Sequence, residues 1–162
     1  MHFTLPSEKR RLEHLKGHFS LGNAGSCFAP EFVRDELALL RFINSVEPAQ
    51  KVVQDDDTTL FVFVLDTSQI VGWEGIAARD TLELKEFRNE TRNGHAVEVA
   101  VVDHFPTTHR FCVVAKPNGN QYEIITAFPG RPAPPFPYEG QDETQKKEST
   151  EFWERHVLLR KG

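Results

Sequence analysis

The chain has 162 residues, 39% of them hydrophobic and 27% charged, which is the profile of one globular domain. A net charge of −5 argues against a generic nucleic-acid coat protein, which would be basic. The longest apolar run, Leu60 to Leu65, is far too short to span a membrane, so no membrane partner is expected.

The start, Met1 to Pro6, lacks the charged-then-apolar pattern of a secretory leader, so a cytoplasmic site of action is expected. Ser7 is positioned to cap a helix beginning near Glu8, with Leu12, Leu15 and Phe19 as its apolar stripe. Arg11, His14 and His18 fall together on a flank of that stripe, with Arg10 close by. Gly22 to Ser26 breaks the helix. A second helix is predicted from Glu31 to about Ser45, with Phe32, Val33, Leu37, Leu40 and Ile43 at helical spacing; Glu47-Pro48 ends it. Asp55-Asp56-Asp57 reads as a charged turn and Phe61 to Leu65 as a buried strand. Gly72 to Gly75 is a bend, and residues 80–90 are weakly helical. Asn93-Gly94 is a tight turn leading into a strand over Ala96 to Val102. Strands over Arg110 to Ala115 and Gln121 to Phe128 flank the hairpin signal Pro117-Asn118-Gly119-Asn120. The prolines between Pro129 and Pro137 require an extended segment, a strap or a linker. Ser149 is placed to cap a last helix carrying Phe152, Trp153, Val157 and Leu158. The order predicts an α+β single domain over 1–162: a helical part (1–50), a roughly four-stranded antiparallel sheet (58–129), a proline-rich extension (130–147) and a C-terminal helix (148–160). Cys27 and Cys112, without a Cys-x-x-Cys pair, read as two buried thiols, with a single disulfide as the alternative.

Charge and histidine are unevenly spread. Residues 1–28 and 104–135 each sum to +2, leaving −9 elsewhere, and they hold His14, His18, His104 and His109 among the seven histidines. Histidine takes and gives a proton near neutrality, and neighbouring arginines stabilise phosphate charge. The set Arg11, His14 and His18 therefore suits RNA cleavage by the RNA's own 2′-hydroxyl, a reaction that needs no metal or other cofactor. A pair of ordinary surface histidines, or a zinc pair at i and i+4, are the alternatives. A second candidate is the strand region around Thr108, His109 and Arg110, where Thr108 and Arg110 would share a face with Thr126 of the partner strand as a phosphate cradle. His109 or His156 could supply a further proton-transfer group.

The segments Leu12-Glu13-His14-Leu15-Lys16-Gly17-His18-Phe19, Gly25-Ser26-Cys27-Phe28 and Glu123-Ile124-Ile125-Thr126-Ala127-Phe128-Pro129 together resemble the bacterial ribonuclease superfamily of barnase-like, EndoU-like, colicin-D-like and RelE-like nucleases, which includes many polymorphic toxin domains. The resemblance covers residues 12–28 and about 104–129. It implies helices ahead of a four-stranded antiparallel sheet and a toxin or regulatory endoribonuclease that leaves 2′,3′-cyclic phosphate and 5′-hydroxyl ends. It implies catalytic roles for His14 and His18, with Lys16 as the intervening cation, Thr126 as the strand-end threonine, and Thr108 and Arg110 on the preceding strand; Arg11 and His109 would bind substrate. RNA, with tRNA as one candidate, is the implied substrate, and an immunity or antitoxin protein the implied partner. A non-catalytic protein-binding module on the same fold, engaging its partner through the acidic surface and the proline strap, is the competing expectation.

Overall fold

Strict alternation through Phe61 to Leu65 and Phe111 to Ala115 sends Phe63, Leu65, Phe111, Val113 and Ala115 to one sheet face and Val62, Val64 and Cys112 to the other, and both sets are buried. Such doubly buried strands read as continuous apolar runs. The computed structural model describes residues 2–20, 26–46, 50–54, 60–83, 86–92 and 94–162, with the strand at 50–54 described by its backbone alone. The turns expected at residues 22–25 and 55–57, and Asn93 of the Asn-Gly turn, lie outside the described residues.

The strands are β1 (Phe3–Thr4), β2 (Cys27–Phe28), β3 (Gln50–Gln54), β4 (Leu60–Asp66), β5 (Gly72–Trp73), β6 (Ile76–Ala78), β7 (Glu86–Arg92), β8 (His95–Val102), β9 (Thr107–Thr108), β10 (Arg110–Asn118), β11 (Gln121–Pro129) and β12 (His156–Lys161). The helices are α1 (Lys9–Gly17), α2 (Glu36–Ser45) and α3 (Glu143–Arg155). The fold is α+β and mostly sheet, but the sheet is not single. Five strands run β1-β11-β10-β4-β3, four run β6-β12-β8-β7, and β2-β5-β9 form a small third sheet. Pairing is antiparallel except for β1 with β11 and β12 with β8.

Both N-terminal helices contribute to the core on one face of the five-stranded sheet. Leu15 of α1 and Leu39 and Ile43 of α2 join Phe3, Phe28, Phe63, Phe111 and Ile124 there. Burial of one such aliphatic side chain contributes about 2 kcal/mol. A second core, with Ala77, Ala100, Val102, Phe105, Val157 and Leu159, belongs to the four-stranded sheet. Among the described residues no helix is long and apolar enough to cross a membrane.

Several elements depart from the sequence-based expectation. The second helix starts at Glu36, because Asp35 caps it by accepting the Ala38 N–H at 2.8 Å. Phe32 and Val33 therefore reach the core from a turn, and Leu37 is exposed. Ser7 does not cap α1; its N–H donates to the buried Glu123 carboxylate at 2.7 Å, tying the helix entry to β11. Hydrogen bonding by Ser7 holds that carboxyl below its usual range, burial opposes the shift, and Lys116 at 3.2 Å reinforces it. The charged stretch 80–90 gives a single 3-10 turn over Arg79–Thr81 and then β7, which pairs with β8 along its whole length. The last helix is capped by Asp142, not Ser149, and ends at Arg155; Val157 and Leu158 belong to β12, where strand partners on both sides override the helical spacing. The 1–50 segment also contributes β1 and β2, and β3 begins at Gln50.

Cys27 and Cys112 are free and buried. Burial raises both thiols, Cys112 to about 12. At pH 8 the folded protein should therefore be inert to dithionitrobenzoate and release two equivalents of thiol once denatured. Titration of either cysteine in the native state would contradict this packing.

Candidate functional site

The first turn of helix α1 runs against the helix dipole. Lys9, Arg10 and Arg11 fill its first turn with no acidic residue among them, and Glu8 at the N-cap gives no side-chain cap. A helix N-terminus carries partial positive charge and free N–H groups, so cations there cost roughly 0.3–1 kcal/mol each. Only Arg11 is relieved locally, by Glu8 at 3.4 Å; Arg10 has no ion pair among the described residues. An anion bound at this turn would satisfy both the dipole and the arginines.

The opposite wall comes from β11. Val114 of β10 pairs with Thr126, but Ala115 pairs with Ile124, leaving Ile125 as an extra, unopposed residue. Such a bulge re-aims the side chains around it. Ile125 and Thr126 line a cavity of about 370 Å³ together with Glu8, Arg10, Arg11 and His14. The Thr126 hydroxyl is buried and has no hydrogen-bond partner among the described residues. An unmatched buried hydroxyl costs about 1–3 kcal/mol, and this one belongs to a residue in the wall of a basic cavity.

His14 and His18 meet edge to face, with ring centroids 5.1 Å apart at 84°. His14 is exposed and borders the cavity, whereas His18 is half-buried at the C-cap of α1 and touches Phe128 of β11. The Nδ1 of His18 lies 2.9 Å from the Ser26 carbonyl. A carbonyl only accepts, so Nδ1 carries the proton and Nε2 of the neutral ring keeps a free lone pair. Desolvation pushes the His18 pKa down, the Ser26 bond opposes that shift, and the neighbouring His14 adds to it. At neutral pH His18 is thus an unprotonated imidazole with its basic nitrogen assigned.

The remaining expected site residues are not brought to this cavity. Lys16 lies two residues beyond His14, about 200° around the helix, and pairs with Glu36 of α2 at 3.6 Å. Arg110 pairs with Asp66 at 3.0 Å, which raises its pKa. It stands four residues along β10 from the partner of Thr126, about 13 Å at strand rise. Thr108 is buried, and its hydroxyl accepts the Arg110 N–H at 3.2 Å. The expected Thr108–Arg110–Thr126 cradle is therefore not assembled. His109 is exposed, and its carbonyl accepts the Thr67 N–H at 2.8 Å. His156 belongs to the four-stranded sheet, stacked on Phe152 and bonded to Arg131 at 3.0 Å. No third histidine, cysteine or carboxylate joins His14 and His18 as a metal-ligand set among the described residues. Of the residues that sequence reasoning placed in the site, Arg11, His14 and Thr126 line the cavity and His18 stands behind His14, outside the lining; Glu8, Ile125 and the Ser26 carbonyl were missed. A bulge and a backbone acceptor leave no signature in residue types.

No family model, curated protein or solved structure matches this chain. The functional reading therefore rests on the geometry of this cavity and on the sequence resemblance.

Proposed function

We propose that the chain is a metal-independent endoribonuclease, acting as a bacterial toxin or regulatory nuclease, with its active site at the α1–β11 cavity. The observation that carries this reading is a neutral, tautomer-fixed His18 beside His14 at the rim of a basic cavity holding an unmatched hydroxyl. In this reading Nε2 of His18 takes the proton of the ribose 2′-hydroxyl. The 2′-oxygen then forms a bond to phosphorus while the bond from phosphorus to the 5′-oxygen breaks. His14, protonated, gives its proton to that leaving oxygen, and the products are a 2′,3′-cyclic phosphate and a 5′-hydroxyl. The phosphate-binding role passes from Lys16 and Arg110 to Arg10, Arg11 and the α1 N–H groups, with Thr126 donating to a non-bridging oxygen. An immunity protein, if the chain is a toxin, would be expected to cover this cavity.

The direct test is incubation with total tRNA and a mixed RNA pool in excess EDTA, followed by end-group analysis. Discrete fragments with cyclic-phosphate ends are expected; intact RNA at every enzyme concentration would sink the proposal. Thr126→Val sharpens it. Removing an unmatched hydroxyl should leave stability unchanged or raise it by about 1 kcal/mol. The same change should slow cleavage by about tenfold or more through loss of a transition-state donor. Full activity in Thr126→Val would remove Thr126 from the site.

A further inference from the structure

A second cavity lies on the four-stranded sheet, and the proposed chemistry does not use it. Val97 of β8 and Leu158 of β12 form its floor, and the proline-rich segment from Pro134 to Tyr138 and Trp153 of α3 line it as well. The groove holds about 580 Å³ and shares His95, Pro137 and Tyr138 with an adjoining hollow of about 480 Å³ that reaches Lys146.

The proline wall is fixed before any ligand arrives. The Trp153 indole N–H donates to the carbonyls of Pro134 at 3.1 Å and Pro135 at 3.3 Å. Phe136 stacks on the same indole with centroids 4.1 Å apart. Beyond it, Gln141 is buried, donates to Ser149 of α3 at 3.1 Å and accepts the Tyr138 N–H at 3.3 Å. A preformed wall lowers the ordering cost of binding.

The polar groups of the lining have one dominant sign. The cations Arg92 and Lys146 border the two spaces, and neither is in an ion pair with a described residue; Glu139 is the one acidic group in the lining. This is a reversal for a chain of net charge −5. Tyr138 is 48% exposed, and its ring stacks on no other ring among the described residues. Unpaired cations flanking a free aromatic face are the two elements by which single-stranded nucleic acid is held: phosphates on the cations, a base on the ring. A duplex offers phosphates but no free base face.

We infer that this groove binds single-stranded RNA, with a base stacked on Tyr138 and backbone phosphates on Arg92 and Lys146, as a binding site separate from the cleavage cavity. The choice of RNA rests on the endoribonuclease reading. The probe is a fluorescein-labelled, 2′-O-methylated decauridylate, which cannot be cleaved, followed by anisotropy on the full chain. Arg92→Ala with Lys146→Ala should weaken binding at least tenfold and lower the slope of log affinity against log salt by about 1.4, two single-strand phosphate contacts. Tyr138→Ala should weaken binding about tenfold at an unchanged slope. These side chains are exposed, so melting temperatures should not move. Unaltered binding by both variants, absence of binding by the wild type, or displacement of the probe by polyglutamate as readily as by unlabelled decauridylate would each overturn the inference. The two proposals fail separately. RNA cleaved normally by the groove variants, with probe binding unchanged, removes the groove alone. Probe bound through the groove, with no RNA ever cut, removes the nuclease and leaves the groove standing.

Discussion

His14→Ala combined with His18→Ala should reduce RNA cleavage by about a thousandfold or more, as loss of both proton-transfer groups does elsewhere. The variant should stay folded. His14 is exposed, and His18 contributes one hydrogen bond and a half-buried ring, a loss of about 1–2 kcal/mol. The single variants divide the roles. If His18 is the base, activity requires it unprotonated, so the acid limb of the rate profile should fall below the ordinary histidine value of 6.5. Removing His14 takes away one of the influences that lower the His18 pKa, so the residual activity of His14→Ala should show that limb displaced upward. A purely structural His18 would give no such displacement. Undiminished cleavage by the double variant would refute the site.

The same shift has a stability consequence of fixed sign. The folded pKa of His18 lies below the unfolded value, so between the two the unfolded chain binds more protons. Stability is therefore unaffected by this group above pH 6.5, falls as pH drops through the window below it, and levels off beneath the folded pKa. His18→Asn should flatten that part of the curve in a denaturant titration across pH; an unchanged slope would mean the ring is not desolvated in the folded state.

What the sequence made legible was local. The His14–His18 face follows from helical periodicity alone, and the β10–β11 hairpin from Pro117 to Asn120 and the apolar runs around it. Lys16 was misplaced because its proximity in sequence hid a position on the far side of the helix, where Glu36 claims it. The second face of the fold was illegible for a different reason. The charged residues of β7, Glu86, Arg88, Glu90 and Arg92, share one face of a largely exposed strand in a sheet whose other strands come from positions 76–78, 95–102 and 156–161, and no local pattern announces that assembly. Val157 and Leu158 fit the helical spacing of Phe152 and Trp153, but a parallel partner in β8 and an antiparallel one in β6 draw them into a strand. Long-range pairing overrides propensity where the strand is central to its sheet. The Ile125 bulge and the Ser26 carbonyl, which shape the candidate site, depend on backbone placement and not on residue type.

Gly72→Ala should be among the most damaging single substitutions in the chain. Gly72 lies in β5 between Phe28 of β2 and Thr108 of β9. A Cβ built there would stand 2.1 Å from the Cys27 carbonyl oxygen and 2.7 Å from a ring carbon of Pro129. The first is backbone and cannot rotate away, so β2 must leave β5 or the end of β11 must move. Either shift disturbs Phe28 and Val71, at 1% and 0% exposure, and the Ala29–Val71 backbone bond of 2.8 Å. Overpacking of this severity costs about 3 kcal/mol or more. For a chain of this size that is a fall in melting temperature of roughly 6–12 °C. The damage should also reach the candidate site, because Ser26, whose carbonyl fixes the His18 tautomer, directly precedes β2, and Phe28 donates its N–H to the His18 carbonyl at 2.7 Å. Cleavage should therefore fall even well below the lowered melting temperature, with the His18 pKa moving back toward 6.5 as the ring is resolvated. Gly17→Ala is the matched control: a Cβ at the end of α1 meets nothing within 4 Å, and the backbone there is not left-handed. That change should stabilise the protein by about 0.5–1 kcal/mol. A Gly72→Ala protein that melts with the wild type would show that β2 is not packed on β5 as described, and the anchoring of His18 through Ser26 would fall with it.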